Sequence, residues 1–391
     1  MKKTIAVCLF FTVLFPALLS CKQPQGGTGE TGNPDIFSWR TASWSPFTSA
    51  DSVKGFAWGG GLYVAAGLHG IIAYSHDGDI WERARKAPDP DSGESPPAEP
   101  FKLAGGGSAN FNAVAFGGGV FIAVADGGHL AYSRDGVSWT GIHEAAGFGS
   151  EDIKGIAYGE APGGPGCFVA VGNGANSGAN ISAALSSNPE SWAGGSVAGF
   201  SALKDAAFGN GTFYVAGDEG WMGWASAPSP NPAPPAPANT WDWHPRQWTF
   251  SAPAGSFRPY VKKIAFGEYG QGTPGLGLAF NAWGGKRLAI CAADRFESGD
   301  SAAWDSDIDA GFFGQEVNGI VWSPRDSGTW LAAGTSAMIG YWPSADPGDE
   351  AERYWRTLSF AEFRWWEITS LALLNGRYFA GGIGGKIGYN K

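Results

Sequence analysis

The chain has 391 residues, 62 of them glycine, with 14% aromatic and 16% charged residues and a formal net charge of −10. Such a density of glycine and aromatic residues is typical of short strands joined by tight turns, so long helices are not expected. The acidic balance argues against nucleic acid as a partner.

The first twenty residues have the pattern of an export signal. Residues 1–20 begin with a cationic segment and continue with an apolar stretch too short for a comfortable membrane span. The run Leu-Leu-Ser-Cys ending at Cys21 resembles the bacterial lipobox, in which the cysteine becomes the first mature residue and carries lipid. We therefore expect a lipoprotein signal peptide, lipidation of Cys21, a flexible tether at 21–34, and membrane contact through this lipid alone. The alternative is an ordinary signal peptide with a chance cysteine.

One pattern of two apolar strands, a third strand ending near tyrosine, and a tryptophan recurs along the chain. Its first copy reads VKGFAWG at 53–59, LYVAAG at 62–67 and IIAYSHDGDIW at 71–81. Further copies begin at Phe111, Ile153, Leu203, Val261, Val317 and Ile368. A repeat of four short strands, with a period of roughly 40 to 60 residues, predicts a β-propeller blade.

The last copy supplies only part of a blade. Its second and third strands are RYFAG at 377–381 and KIGY at 386–389, with no fourth strand before residue 391. Near the other end, DIFSWRT at 35–41 carries Trp39 in a setting that matches the fourth strands of the first two copies. We therefore predict an all-β domain at 35–391: a seven-bladed β-propeller of four-stranded antiparallel blades, whose N-terminal strand closes the last blade.

A second signature lies between the third and fourth strands of four copies. It reads SHDGDIW at 75–81, SRDGVSW at 133–139, SSNPESW at 186–192 and SGDSAAW at 298–304. We expect Asp77 and Asp135 to accept hydrogen bonds from the amides of their own turns, with the tryptophan covering the turn between blades.

This signature resembles the Asp-box of sialidases and related (BNR-type) propellers, although here glycine directly follows the aspartate of the first two copies. With this signature and seven predicted blades, residues 35–391 resemble the Asp-box-like propellers that include the photosystem II stability and assembly factors. The resemblance implies a fold, and it leaves the function open because one propeller serves hydrolases, adhesins and assembly factors alike.

Aligning the seven first strands reveals one polar position. It is occupied by Lys54, Asn112, Lys154, Lys204, Lys262, Asn318 and Thr369. Because first strands line the axis of a propeller, we expect these side chains to surround one mouth of the channel, an end that we call the lysine face. Cations gathered within about a Debye length, roughly 8 Å, are unfavourable unless they are solvated or face an anion.

The hypothesis is that these seven residues bind a ligand at the channel mouth. The candidate partners are an unknown protein, an acidic segment, or an anionic or glycan ligand. The alternative is that each lysine reaches water from a strand end while its stem covers apolar neighbours.

Tryptophan offers a second candidate binding surface. Trp365 and Trp366 lie in the connection into blade 7, on the lysine face by propeller topology. Exposed tryptophans stack on sugar rings or anchor protein interfaces, so we add this pair to the ligand-binding residues. Sealing a gap between blades is the alternative.

No sequence motif identifies an enzyme. The chain lacks a phosphate-binding loop, an H-E-x-x-H zinc pair and a G-x-S-x-G elbow, so we expect no catalytic residue, cofactor or metal. A sialidase needs three clustered arginines, and the nearest hint is the run FRPY at 257–260. Cys167 and Cys291 belong to non-neighbouring blades, so we expect buried, unpaired thiols.

The sequence as a whole favours a monomeric cell-envelope lipoprotein that acts as a non-enzymatic ligand-binding, protein-binding or assembly propeller. The lipid anchor is compatible with the periplasmic face or the outer surface. Two alternatives stay open. A glycan-acting hydrolase of sialidase or glycosidase type needs a carboxylate pair in a deep axial pocket, and a surface adhesin needs display outside the cell.

Overall fold

The computed structural model of the chain describes residues 38–87, 101, 108–142, 147–160, 166–227, 237–252, 255–269, 272–281, 288–299, 304, 316–324, 328–343, 356–359 and 367–390. Seven mainly antiparallel β-sheets follow one another along these residues, and the first strand of each packs against the first strands of its two neighbours. The last sheet also packs against the first, so the sheets form a closed ring. The fold is the predicted seven-bladed β-propeller, and we number its sheets blades 1 to 7.

Strands are numbered along the chain, and the first, β1 (Trp39–Thr41), belongs to blade 7. Blade 1 contains β2 (Val53–Gly59), β3 (Leu62–Gly67), β4 (Ile72–Ser75) and β5 (Glu82–Arg83). Blade 2 contains β6 (Arg85–Lys86), β7 (Phe111–Gly117), β8 (Val120–Ala125), β9 (Leu130–Ser133) and β10 (Ser138–Ile142). Blade 3 contains β11 (Ile153–Glu160), β12 (Gly166–Asn173), β13 (Ala179–Leu185) and β14 (Ala193–Val197).

The remaining strands complete blades 4 to 7. Blade 4 contains β15 (Leu203–Gly209), β16 (Thr212–Gly217), β17 (Trp221–Ser226) and β18 (His244–Gln247), and a hairpin of β19 (Phe250–Ala252) and β20 (Gly255–Phe257) follows it. Blade 5 contains β21 (Tyr260–Glu268), β22 (Pro274–Asn281) and β23 (Leu288–Ala292), followed by helix α1 (Ala293–Ser298). Blade 6 contains β24 (Val317–Ser323), β25 (Thr329–Gly334), β26 (Met338–Pro343) and β27 (Arg356–Ser359). Blade 7 contains β28 (Ile368–Leu374), β29 (Arg377–Gly382), β30 (Ile387–Asn390) and β1.

Short 3₁₀ turns occupy several connections. Five join the second and third strands of a blade, at Leu68–Gly70, Asp126–Gly128, Ala175–Ser177, Asp218–Gly220 and Thr335–Ala337, and a sixth, Ala238–Thr240, precedes β18. Within the described part of the chain, no helix is long and apolar enough to cross a membrane.

The N-terminal strand closes the ring as predicted. β1 pairs antiparallel with β30, and Trp39 lies opposite Asn390. The Trp39 side chain is 4% exposed and packs in an apolar cluster with Leu331 and Ile339 of blade 6. The two ends of the chain therefore share one sheet, which is how a propeller removes its exposed edge at the seam.

Two blades depart from the predicted four antiparallel strands. In blade 2, β6 adds a fifth strand that runs parallel to β10. In blade 5, the described residues form three strands, and α1 begins directly after β23. The fourth copy of the tryptophan signature, at 298–304, therefore starts at the end of a helix and not at the end of a strand. The helix buries Phe296 completely, with its ring 5.3 Å from Trp224 and 5.5 Å from Trp248.

The Asp-box-like turns of blades 1 and 2 have the predicted hydrogen bonds. Asp77 Oδ1 accepts the backbone amides two and three residues further on, at 2.8 and 3.0 Å. Trp81 Nε1 donates to the carbonyl of Gly78 at 3.0 Å, and the fully buried indole packs in the same cluster as Phe379 of blade 7. The turn around Asp135 repeats these bonds. The motif is structural: it fixes the turn and fills the space between a blade and the preceding one.

Five first strands carry an aromatic residue near the end that lies away from the lysine face. Each of these rings packs onto a glycine of the preceding blade. The pairs are Phe116 on Gly59, Tyr158 on Gly117, Phe208 on Gly159, Phe266 on Gly209 and Trp322 on Gly267. A Cβ at Gly117 would stand 2.0 Å from the Tyr158 ring, a distance that no real carbon contact tolerates. The glycine that ends these strands is therefore required by packing between blades.

Cys167 and Cys291 are free and buried, as predicted. Burial raises the pKa of the Cys167 thiol to about 12 and raises the pKa of Cys291 as well. Both side chains are therefore protonated at neutral pH and pack as small apolar groups.

Candidate functional site

Each first strand carries a one-residue bulge at the polar position found in the sequence. In blade 1, Val53 pairs with Gly67 and Gly55 pairs with Ala66, so Lys54 is an extra residue without a partner on β3. The same register shift occurs at Asn112, Lys154, Lys204, Lys262, Asn318 and Thr369. A bulge bends its strand and re-aims the side chain of the extra residue. Sevenfold repetition therefore directs all these side chains to one end of the axis.

The seven bulge residues line a single cavity of about 440 Å³, which we call the mouth cavity. Its wall also includes Asp218, Tyr260, Val261, Lys263, Asn281 and Glu367. This volume lies within the range of about 300 to 1,000 Å³ that is typical of small-ligand sites. The structure thus brings together all seven aligned polar residues on the lysine face, while their role in binding stays a prediction.

Three of the four aligned lysines have carboxylate partners within the protein. The pairs are Lys154 with Asp126 at 2.9 Å and with Asp152 at 2.8 Å, Lys204 with Asp218 at 3.1 Å, and Lys262 with Glu316 at 2.8 Å. The mouth is therefore a ring of interleaved positive and negative charges. Carboxylates of the protein itself compensate most of these lysines. An external anion is therefore not needed to offset the repulsion between them.

The three remaining bulge residues connect neighbouring blades. Asn112 Nδ2 donates to the Ile153 carbonyl at 2.8 Å, Asn318 Nδ2 to the Ile368 carbonyl at 2.9 Å, and Thr369 Oγ1 to the Val53 carbonyl at 2.6 Å. In each case the acceptor is the residue immediately before the bulge of the next blade. These side chains therefore have a structural role at the blade junctions in addition to lining the cavity.

Lys54 differs from the other lysines at the mouth. None of the described residues forms an ion pair or a hydrogen bond with its ammonium group. Burial lowers the pKa of Lys54; Glu367 opposes this shift, and the ammonium groups of Lys262, Lys263 and Lys154 add to it. For Lys154, burial also lowers the pKa, but its two carboxylate partners raise it above the ordinary lysine value. Lys54 is thus the least compensated cation of the ring.

A second cavity of about 240 Å³, the lower cavity, continues along the axis beneath the mouth. Lys54 and Lys263 line both cavities, and we call their junction the neck. The lining of the lower cavity combines apolar residues of the first strands, such as Phe56, Ile264 and Leu371, with Lys54, Asp205, Lys263 and Ser370. Each first strand is the end strand of its sheet, so one edge of its backbone N–H and C=O groups is not paired within the sheet, and the channel still presents polar groups below the neck.

An ion pair that the sequence analysis missed lies in the wall of the lower cavity. Lys263 Nζ stands 3.2 Å from Asp205 Oδ1, and Asp205 Oδ2 accepts the amide of Ile264 at 3.0 Å. Burial raises the pKa of Asp205 even though Lys263 and these hydrogen bonds oppose the shift. A signal was present in the sequence: Asp205 and Lys263 directly follow Lys204 and Lys262, at a position where the other five blades have glycine, alanine or serine.

Three residues of the sequence-based hypotheses lie outside the described part of the chain. They are Cys21, Trp365 and Trp366. Lipidation of the cysteine and ligand contact by the tryptophan pair therefore stay predictions.

The described walls of the axial cavities can be compared with the arginine cluster of a sialidase site. No arginine lines the described walls of either cavity, whereas that chemistry requires three. Of the run FRPY at 257–260, Tyr260 lines the mouth cavity and is 53% exposed. Across the described residues, no group of three His, Cys, Asp or Glu side chains is placed to hold a metal ion.

The fold and the axial cavities define a class: a seven-bladed propeller with a ring of paired charges at one channel mouth. No protein-family model and no curated protein matches the chain. Among solved structures, it is similar to YCF48 from Cyanidioschyzon merolae, with 14% identity and a TM-score of 0.59 over 90% of this chain and 98% of that one. A structure of YCF48 bound to D1 peptide matches with 13% identity and a TM-score of 0.56, over 90% and 96%.

The similarity extends to a chain from another kind of assembly. A chain of the mitotic checkpoint complex matches with 10% identity and a TM-score of 0.58, over 98% of this chain and 99% of that one. Identities this low show a shared fold alone.

Proposed function

We propose that this protein is a non-enzymatic binding or assembly propeller that holds an extended segment of a partner protein at the mouth cavity. The observation that carries the proposal is the convergence of seven bulge side chains on one cavity. Its wall presents ammonium and amide donors beside carboxylate acceptors, so the N–H and the C=O groups of a peptide both find partners there. The ion pairs hold these groups in place before binding, which reduces the entropy cost of ordering them.

The comparisons support the capacity of this fold for such a role. YCF48, a propeller of the same fold, has been solved bound to a peptide. In addition, the Asp-box-like signature resembles that of propellers that include assembly factors. Neither point names the partner of this chain, so the proposal is a peptide-binding site of unknown sequence preference.

The test is capture of a partner from solubilised cell envelope by the mature protein. The mouth variant carries glutamine at Lys54, Lys154, Lys204 and Lys262. A control with the same change in net charge carries glutamine at Arg83, Arg85, Lys86 and Arg134, none of which lines either axial cavity. Circular dichroism and thermal unfolding establish that both variants fold.

We expect the wild type and the control to capture the same partner and the mouth variant to lose it. Capture that survives in the mouth variant, or disappears equally in the control, would contradict binding at the mouth. The same preparations are assayed on glycan arrays and on glycoside substrates. Turnover of any glycoside would favour the hydrolase alternative and overturn the non-enzymatic part of the proposal.

We further propose that a lipid on Cys21 holds the propeller at the cell envelope. The apolar segment at 1–20 and the lipobox-like run before Cys21 support this location. Incorporation of a labelled fatty acid, followed by mass spectrometry of the N-terminal peptide, tests it. We expect the label on the wild type and its loss in Cys21→Ser; an unlabelled wild-type protein would contradict lipidation.

A further inference from the structure

Three large apolar side chains are exposed along the edge of blade 1 that faces away from the mouth cavity. Trp44 and Ile80 are each 55% exposed and Trp58 is 38% exposed, and we call the three the far-edge patch. β2 runs away from the lysine face and the next strands alternate in direction, so the end of β2, with Trp58, and the turn from β4 to β5, with Ile80, lie on the far side. Trp44 joins them because it forms a parallel β-bridge with Ile80.

The repeat shows that this edge is unusual. In blade 2, the parallel partners at the same place are Arg85 and Ser138, both exposed. Ser138 directly precedes a signature tryptophan, as Ile80 does, and Ser191 has this place in blade 3. Blade 1 therefore carries a tryptophan and an isoleucine where blade 2 carries an arginine and a serine.

Trp58 is exposed because the preceding blade lacks the glycine on which its ring would pack. In five other blades, the aromatic ring at this place packs onto such a glycine. Leu374 occupies the glycine's place in blade 7, since it ends β28 as Gly59 ends β2. A leucine side chain fills space that a glycine leaves open, so the indole of Trp58 stays partly in solvent.

Charges of both signs surround the far-edge patch. The turn from β4 to β5 carries Asp77 and Asp79, and Arg377 donates to the Asp77 carbonyl at 2.7 Å. Asp79 accepts the amide and the hydroxyl of Ser43 at 2.8 to 2.9 Å. The edge therefore presents no field of one sign, and apolar contact has to supply the binding of any partner here.

The chain enters the propeller beside this patch. Trp44 follows Ser38, the first described residue, by six positions. At no more than about 3.6 Å per residue, the chain from Cys21 to Ser38 spans at most roughly 60 Å. A lipid on Cys21 would thus hold the patch close to a bilayer, where the high effective concentration makes even a weak second contact count. Tryptophan is enriched at membrane interfaces because its ring is apolar and its N–H is polar.

We propose that the far-edge patch docks on the bilayer surface, with Trp44 and Ile80 inserted among the headgroups of zwitterionic lipid. This inference rests on the proposed envelope location and adds a second membrane contact to the lipid. The lysine face lies on the opposite side of the ring, so the mouth cavity stays open to its partner.

The test replaces the lipid by an artificial anchor at the same place in the chain. A hexahistidine segment substitutes for Cys21 in the mature protein, and binding is measured on phosphatidylcholine vesicles that contain a nickel-chelating lipid. The patch variant is Trp44→Ser with Ile80→Ser. The control is Tyr260→Ser with Ile383→Ser, which removes side chains of similar exposure, 53% and 49%, on the lysine face. Circular dichroism establishes that both variants fold.

We expect the patch variant to bind the vesicles at least about tenfold more weakly than wild type, which corresponds to about 1.4 kcal/mol, and the control to stay within about twofold. All three proteins should bind a lipid-free nickel resin equally. Brominated phosphatidylcholine should quench the tryptophan fluorescence of the wild type more than that of the patch variant. Equal vesicle affinities of wild type and patch variant, or an equal loss in the control, would overturn the proposal.

The result is separable from the tests of the proposed function. The artificial anchor makes the vesicle measurement independent of lipidation at Cys21, and the patch variant should still capture the partner of the mouth cavity. A patch variant that keeps its vesicle affinity but no longer captures an envelope protein would assign the patch to a protein interface and overturn the membrane proposal.

Discussion

Replacing Trp39 by alanine tests whether the N-terminal strand holds the ring closed. The side chain is 4% exposed, and its ring stacks 6.4 Å from that of Tyr378. A buried aromatic side chain covers about 150 to 250 Å², and about 25 cal/mol per Å² gives roughly 4 to 6 kcal/mol as an upper bound. Large-to-small changes at buried tryptophans cost about 3 to 5 kcal/mol. We therefore expect the free energy of unfolding to fall by about 3 to 5 kcal/mol.

The assay is chemical denaturation followed by circular dichroism, with limited proteolysis to detect release of the N-terminal strand. Trp44→Ala is the matched control, because Trp44 is 55% exposed and lies near β1 in sequence. Its effect should stay within about 0.5 kcal/mol. A loss below about 1 kcal/mol for Trp39→Ala, or a loss equal to that of the control, would refute the closure argument.

Two further predictions concern the turn and the blade junction. The amide of Ile80 donates a hydrogen bond to the Asp77 carboxylate and holds the pKa of Asp77 below its ordinary value. The ionised carboxylate therefore stabilises the folded state fully above the unfolded-state pKa of about 3.9. This stabilisation is lost as the pH falls through the lower pKa of the folded state. Asp77→Asn should therefore unfold at lower denaturant than wild type at neutral pH, and the difference should shrink in acid; a pH-independent difference would contradict the linkage. Gly117→Ala should destabilise by about 1 to 3 kcal/mol because its Cβ would meet the Tyr158 ring, whereas Gly141→Ala, with 3.7 Å to the nearest neighbour, should change stability little. Equal melting temperatures for these two variants would contradict the packing argument.

Much of the fold was predictable because the interactions that define it repeat or are local. The hydrogen bonds of the Asp77 turn span two and three residues, so the motif contains both partners. Trp39 could be assigned to blade 7 because it stands as Trp81 and Trp139 do, at or next to the start of a fourth strand. The sequence analysis missed the helix after β23, because the signature at 298–304 has the same residue pattern as the other copies. The helix that precedes this signature buries Phe296 in the core.

The sequence predicted which residues form the candidate site, but it did not predict the ion pairs that they make. Equivalent positions of a closed repeat surround one axis, so the sequence alone placed Lys54 and its six counterparts at one channel mouth. Asp152 lies only two residues from Lys154, but other ion pairs join different blades: Lys262 and Glu316 are separated by 54 positions, and Lys263 and Asp205 by 58. No local pattern relates the residues of these distant pairs, because the distance between them depends on how two blades pack.

The sequence by itself determined the number of blades, the closing strand and the ring of seven polar residues, because a regular repeat needs only its own spacing to specify these features. Only the tertiary structure decided that the polar residues sit on bulges, that most of the lysines are neutralised, and that a second cavity continues below them. A bulge is a property of two paired strands, and a neutralised or unpaired charge is a property of all neighbours together. That no carboxylate among the described residues pairs with Lys54 therefore became visible only when the blades were assembled around the axis.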